Sequence, residues 1–99
     1  MQRPKVVRFP VVLTYHVFEK LRSIEMTLSE FELLLGSGEV IEEGHRTDTQ
    51  LEELVLISEW SRPLHLAVIV DKVKCEERIV TVYEPGSELW SPDYRTRRS

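Results

Sequence analysis

The segment from Leu64 to Val70 constrains the fold more than any other. It reads Leu-His-Leu-Ala-Val-Ile-Val, almost continuously apolar and rich in β-branched residues, so it is expected to be a central strand covered on both faces. A polar connection over 72–77 and an alternating run from Arg78 to Glu84 follow, which predicts an antiparallel hairpin ended by Pro85-Gly86. Alternation puts Leu64, Leu66, Val68 and Val70 on one face and His65, Ala67 and Ile69 on the other. On the next strand Val80 and Val82 share a face opposite Ile79, Thr81 and Tyr83. If the all-apolar sets join beneath a helical layer, His65, Thr81 and Tyr83 gather on the more open side.

Upstream, Val6 to Phe9 reads as a short strand that Pro10 ends or confines to an edge. Thr14 can cap a helix from Tyr15 to Ser23, with Val17, Phe18, Leu21 and Ile24 as its apolar stripe and His16, Lys20 and Ser23 on a neighbouring face. Thr27 and Glu30 form a capping box for a second helix carrying Leu28, Phe31, Leu34 and Leu35, which Gly36 can end in a left-handed conformation. Glu39 to Glu42 reads as strand, Gly44 to Gln50 as polar loop, Leu51 to Ser58 as strand and Trp60 to Pro63 as turn. The expectation is an α+β domain, two N-terminal helices packed on one face of an antiparallel sheet of about four strands.

With 99 residues the chain suits a single domain: a helical part over 1–36, a sheet over 39–84 and an extended basic tail over 87–99 anchored by aromatic residues. Its longest apolar stretches fall well short of the ~20 residues of a membrane span, and the first residues lack a secretory apolar core, so a cytoplasmic chain is expected. A lone Cys75 excludes an internal disulfide and a thiolate-rich zinc site. His16, His45 and His65 are not spaced as a local ligand pair, so neither a metal nor a cofactor is expected.

Charge is unevenly spread. The net charge of -4 combines 13 basic with 17 acidic side chains, which argues against a generic nucleic-acid binder. Residues 1–24 carry Arg3, Lys5, Arg8, Lys20 and Arg22 against Glu19 alone, residues 25–59 are acidic apart from Arg46, and Arg95, Arg97 and Arg98 close the chain. Two basic ends thus flank an acidic centre, and they make one patch if they meet in space. The acidic run by itself is most simply a solvated face.

A sheet face with an imidazole, a phenol and a hydroxyl, reached by the Arg62 guanidinium from the preceding turn, has the ingredients for acid and base chemistry on a phosphate diester. RNA supplies its own nucleophile in the 2′-hydroxyl. Cleavage then needs a base near that oxygen, an acid near the leaving 5′-oxygen and positive charge on the phosphate, with no metal required. From spacing alone the plainer reading of His65 and Tyr83 is a pair of half-buried sheet residues with satisfied hydrogen bonds. Trp60, Trp90 and Tyr94 can stack on bases, but aromatics near turns more often cover the end of a core.

His16 with Glu19-Lys20, the Leu28 to Val40 segment, Arg62-Pro63-Leu64-His65, Thr81-Val82-Tyr83-Glu84-Pro85 and Trp90 with Arg97-Arg98 together carry a resemblance. The chain resembles a family of small bacterial domains of unknown function, often encoded beside antitoxins with a YgiT-type (MqsA-like) zinc finger. That family looks like a distant relative of the barnase, EndoU, colicin and RelE ribonucleases. The resemblance implies a type II toxin, a metal-independent endoribonuclease whose partners are RNA and a cognate antitoxin of zinc-finger type. Its polar motif positions match His16, Lys20, Arg62, His65, Thr81 and Tyr83. Arg62 would bind phosphate, His65 and Tyr83 would share proton transfer, and His16 or Thr81 would support them. Lys20, Arg22, Thr81, Arg95, Arg97 and Arg98 are the expected RNA contacts. Lys20 departs from the family, which more often has Arg there; it keeps the charge and loses the planar two-pronged grip. The rival expectation is a non-catalytic protein-binding module that uses the open sheet face or an exposed edge strand.

Overall fold

The computed structural model describes residues 2–98. In chain order they form β1 (Arg3–Pro4), β2 (Val11–Leu13), α1 (Tyr15–Ser23), α2 (Leu28–Leu35), β3 (Glu39–Thr47), β4 (Gln50–Ile57), β5 (Leu64–Asp71) and β6 (Glu76–Tyr83). All strands join one six-stranded sheet in the order β1-β3-β4-β5-β6-β2. The β2–β6 pairing is parallel and every other pairing is antiparallel. The expected architecture of two helices on a four-stranded antiparallel sheet is therefore corrected. The chain is mostly a mixed six-stranded sheet with two short helices.

The helices sit where their caps predict. Thr14 Oγ1 accepts from the Val17 amide at 3.4 Å, and Thr27 Oγ1 accepts from the Glu30 amide at 3.1 Å, each satisfying one otherwise orphaned donor of a first turn. Gly36 ends α2 in a right-handed conformation (φ -65°, ψ -21°) rather than the left-handed one expected. Val17, Leu21, Met26, Phe31 and Leu35 pack on Val40, Val55, Ile57, Leu64, Leu66, Val68, Val70, Ile79 and Val82 to make the main core.

The two missed strands flank the segment that was expected to be one. Val6 to Phe9 is not strand; it straps across the helix-side face of the sheet, joining β1 at one edge to β2 at the other. The strap starts by donating the Lys5 amide to Gly38 O at 2.9 Å. Gly38 must lack a side chain there, since a Cβ would lie 2.7 Å from Val55 Cγ1. The predicted loop over 44–50 is mostly strand as well, because β3 and β4 run on to a tight turn at Asp48-Thr49.

Two carboxylates lie under the strap. Glu53 and Glu77 lie directly opposite Val68 and Val70, on the apolar face, and are 2% and 1% exposed. The Lys5 ammonium sits between them, in an ion pair with Glu77 and 3.1 Å from Glu53 Oε1. Arg3 and Arg8 reach Glu53 Oε2 at 3.0 and 3.2 Å. Burial pushes the Glu53 carboxyl up, and the Lys5, Arg8 and Arg3 charges outweigh it, so its pKa falls below the ordinary carboxylate value. The acidic middle is thus not only a solvated face.

Candidate functional site

The hairpin pairs as the alternation requires at its open end and differs further along. His65 lies opposite Tyr83 and Ala67 opposite Thr81, but Val68 lies opposite Ile79, leaving Val80 as the extra residue of a bulge. Two residues against one reverse the parity beyond it. Ile79 therefore joins Val82 in the core, where Val80 was expected, and the Val80 carbonyl accepts from Thr14 Oγ1 at 3.5 Å. Thr81, Tyr83 and His65 share the face away from the helices.

Beyond Ile79 the edge of β6 is free of β2, and the start of α1 lies beside it. His16, the second residue of α1, brings its Nε2 to 3.4 Å from Thr81 Oγ1. Two strand positions on, Tyr83 OH lies 3.3 Å from His65 Nδ1. A line of four polar side chains, His16–Thr81 and then Tyr83–His65, follows the end of the hairpin. Lys20 is one helical turn beyond His16 on the same helix face.

Exposure grades along this line. His16 is exposed, Thr81 and Tyr83 are half-buried and His65 is 0% exposed. The expectation of an uncovered imidazole at 65 is corrected, because the C-terminal tail lies on it. Trp90, itself 2% exposed, meets the His65 ring edge-on with centroids 4.4 Å apart, and Tyr94 O lies 2.9 Å from His65 Nε2. A carbonyl can only accept, so Nε2 carries the proton and Nδ1 accepts from the Tyr83 hydroxyl. Burial lowers the His65 pKa, with the Tyr94 hydrogen bond opposing it. Burial raises that of Tyr83, with Arg97 opposing it. Both groups are neutral at pH 7.

Arg62 is held by other partners. Its guanidinium lies 5.0 Å above the Trp60 ring and pairs with Glu84 at 2.8 Å, and Trp60 packs against the helix-side core. No contact joins Arg62 to His65 or Tyr83 among the described residues. The cation beside His65 and Tyr83 is Arg97, which stacks on Trp90 at 4.7 Å and pairs with Glu42 through 2.8 and 3.1 Å contacts.

The basic ends do not make one patch. Arg3, Lys5 and Arg8 are spent on the helix-side carboxylates, Arg95 on Glu39 and Arg97 on Glu42 across the other face. Arg98 donates to Ser87 O at 2.7 Å. Lys20 and Arg22 stay outside these networks, Arg22 facing Glu19 only at 3.6 Å. Among the described residues no cluster of three or more His, Cys, Asp or Glu is arranged to hold a metal ion. No helix among them is long and apolar enough to cross a membrane.

Sequence reasoning missed the covering role of Arg97 and Glu42 and the buried Lys5–Glu53–Glu77 cluster. The signal for the cluster was present: Glu53 shares strand parity with Leu51, Val55 and Ile57, so a charge had to point inward there. Comparison of the chain with protein-family models, with curated proteins and with solved structures gave no match.

Proposed function

We propose that this chain is a metal-independent ribonuclease that works at the exposed end of the His16–Thr81–Tyr83–His65 line. One observation carries the reading: side chains from α1, β5 and β6 meet as two adjacent hydrogen-bonded pairs on one sheet face, and the outermost is an accessible imidazole. His16 takes the proton from the 2′-hydroxyl, which attacks the phosphorus. Tyr83 turns its O–H from His65 Nδ1 toward the leaving 5′-oxygen and gives it the phenolic proton, yielding a 2′,3′-cyclic phosphate and a 5′-hydroxyl. A phenol whose pKa is raised is still far more acidic than an alcohol and stays protonated until it is needed. Lys20 supplies charge to the phosphate oxygens and Thr81 orients His16. His65, sealed under Trp90, is a positioning residue that holds the phenol. In this reading the chain acts as a toxin in the cytoplasm, and an antitoxin that silences it must cover His16.

The test is cleavage of a labelled RNA in the presence of EDTA. His16→Ala and Tyr83→Phe each lower the rate about a hundredfold or more, while circular dichroism shows both still folded; Arg62→Ala has little effect. Cleavage unchanged in both variants, or no cleavage by the unaltered protein, overturns the proposal.

A further inference from the structure

A second surface lies on the helix side, away from this site. Val11 and Leu13 of β2 and Phe18, Leu28 and Phe31 of the helices line a groove of about 460 Å³ with Glu32 at its wall. Val11, Phe18 and Leu28 are 36%, 43% and 44% exposed, so apolar side chains that neighbour one another are left facing water.

The edge beside the groove is also unpaired. In a parallel ladder alternate residues turn both backbone groups toward one neighbour. Pro10 O accepts from the Glu77 amide and Thr14 N donates to Ile79 O, so residues 10, 12 and 14 face β6. The N–H and C=O of Val11 and Leu13 face outward, where no described residue meets them. Unpaired edge groups with apolar pockets for alternate side chains are what strand addition uses.

Charge selects the occupant. Glu32 lines the groove and has no cation within ion-pair distance among the described residues. A second copy of the chain would bring its own Glu32 to the same place, like charge against like charge. We propose that the groove and the outer edge of β2 bind an extended segment of another protein, in which every second residue faces the groove and these groove-facing positions carry aliphatic residues followed by one basic residue. The segment adds as a seventh strand, its aliphatic side chains entering the groove and a Lys or Arg meeting Glu32. This surface is independent of the ribonuclease reading and does not include His16.

Two blocked hexapeptides, Thr-Val-Thr-Val-Thr-Lys and Thr-Val-Thr-Val-Thr-Glu, whose second, fourth and sixth residues share one strand face, serve as probes in NMR titrations of the full chain. The basic peptide is expected to bind at least about tenfold more tightly, with shifts concentrated at Val11, Leu13, Phe18 and Leu28 and slowed amide exchange at Val11 and Leu13. Glu32→Lys, an exposed helix position, reverses the preference. N-methylating alternate peptide amides abolishes binding. Shifts centred instead on Glu42, Glu43 and Glu52 mean adhesion to an acidic surface and overturn the proposal. Binding insensitive to methylation also overturns it, as does a dimer in light scattering that already protects the Val11 and Leu13 amides.

Discussion

Lys5→Met is the most informative perturbation of this fold. The strap region holds three cations, Arg3, Lys5 and Arg8, against three carboxylates, Glu43, Glu53 and Glu77, so removing Lys5 leaves one negative charge uncompensated. Glu53 keeps Arg3 and Arg8, but Glu77 has no other cation among the described residues and retains only the amides of Arg8 and Phe9. Both Lys5 and Glu77 side chains are 1% exposed, so solvent screens the pair little. Breaking a buried pair by deleting one member costs about 3–5 kcal/mol, and the surviving partners put this case near about 3. For a domain of this size that is a fall of about 12–24 °C in melting temperature. Lys5→Met/Glu77→Gln should regain most of the loss, because the amide oxygen still accepts from the strap and no charge is stranded. The depressed Glu53 pKa means its stabilisation is present above the ordinary carboxylate pKa and lost as pH falls through the folded value. Losing Lys5 shrinks that depression and flattens the acid limb. Urea titrations at pH 7 and across pH 2–6 on the three proteins test this. A cost below about 1 kcal/mol, or a double variant no better than the single, would refute the reasoning.

Three further outcomes are expected. Because burial depresses its pKa, His65 stabilises the fold fully above the unfolded-state value of about 6.5 and progressively less as pH falls toward the folded one; His65→Gln should flatten stability below about pH 6.5, and an NMR titration in which the His65 ring protonates above that value would contradict it. Trp90→Ala should cost about 3 kcal/mol or more and let His65 titrate closer to its ordinary value, and urea unfolding that shows no loss would mean the tail is not docked. Binding of non-cleavable single-stranded RNA through Lys20 and Arg22 alone should give a log–log salt slope of about -1.4, against about -3.5 if Arg95, Arg97 and Arg98 also engage; the steeper slope would mean that the tail leaves its carboxylates on binding.

Legibility in the sequence followed the range of the interactions. Both helices were readable because Thr14 and Thr27 act within one turn. The central hairpin was readable because the alternation of Leu64 to Val70 puts His65 on one face with Thr81 and Tyr83 once the apolar sets join; the register that sets His65 opposite Tyr83 came from the structure. Alternation cannot reveal a bulge, so Val80 and Ile79 exchanged places. β2 was invisible for a different reason: three residues of strand pair in parallel with a partner more than sixty positions away, and nothing local to Val11 marks that. The partners of Arg62 were not legible because a turn residue takes its contacts from the nearest ring and carboxylate, Trp60 and Glu84, and neither pairing has a period. The docking of the tail was foreshadowed by Trp90 and Tyr94 lying among polar residues, but not its place on His65.

The inward carboxylates follow from the topology. β1 and β2 occupy opposite edges of the sheet with only residues 5–10 between them, so that stretch must cross the sheet face as irregular backbone. Irregular backbone over an apolar surface would strand its amides. Glu77 accepts from the amides of Arg8 and Phe9, and Lys5, carried by the strap itself, balances the charge. The same crossing delivers Val11 to Leu13 to the far edge, in parallel with β6, where their outer backbone groups meet no further strand. The open β2 edge and the buried Lys5–Glu77 pair are therefore two consequences of one chain path, and a change that loosens the strap should weaken both the fold and whatever pairs with that edge.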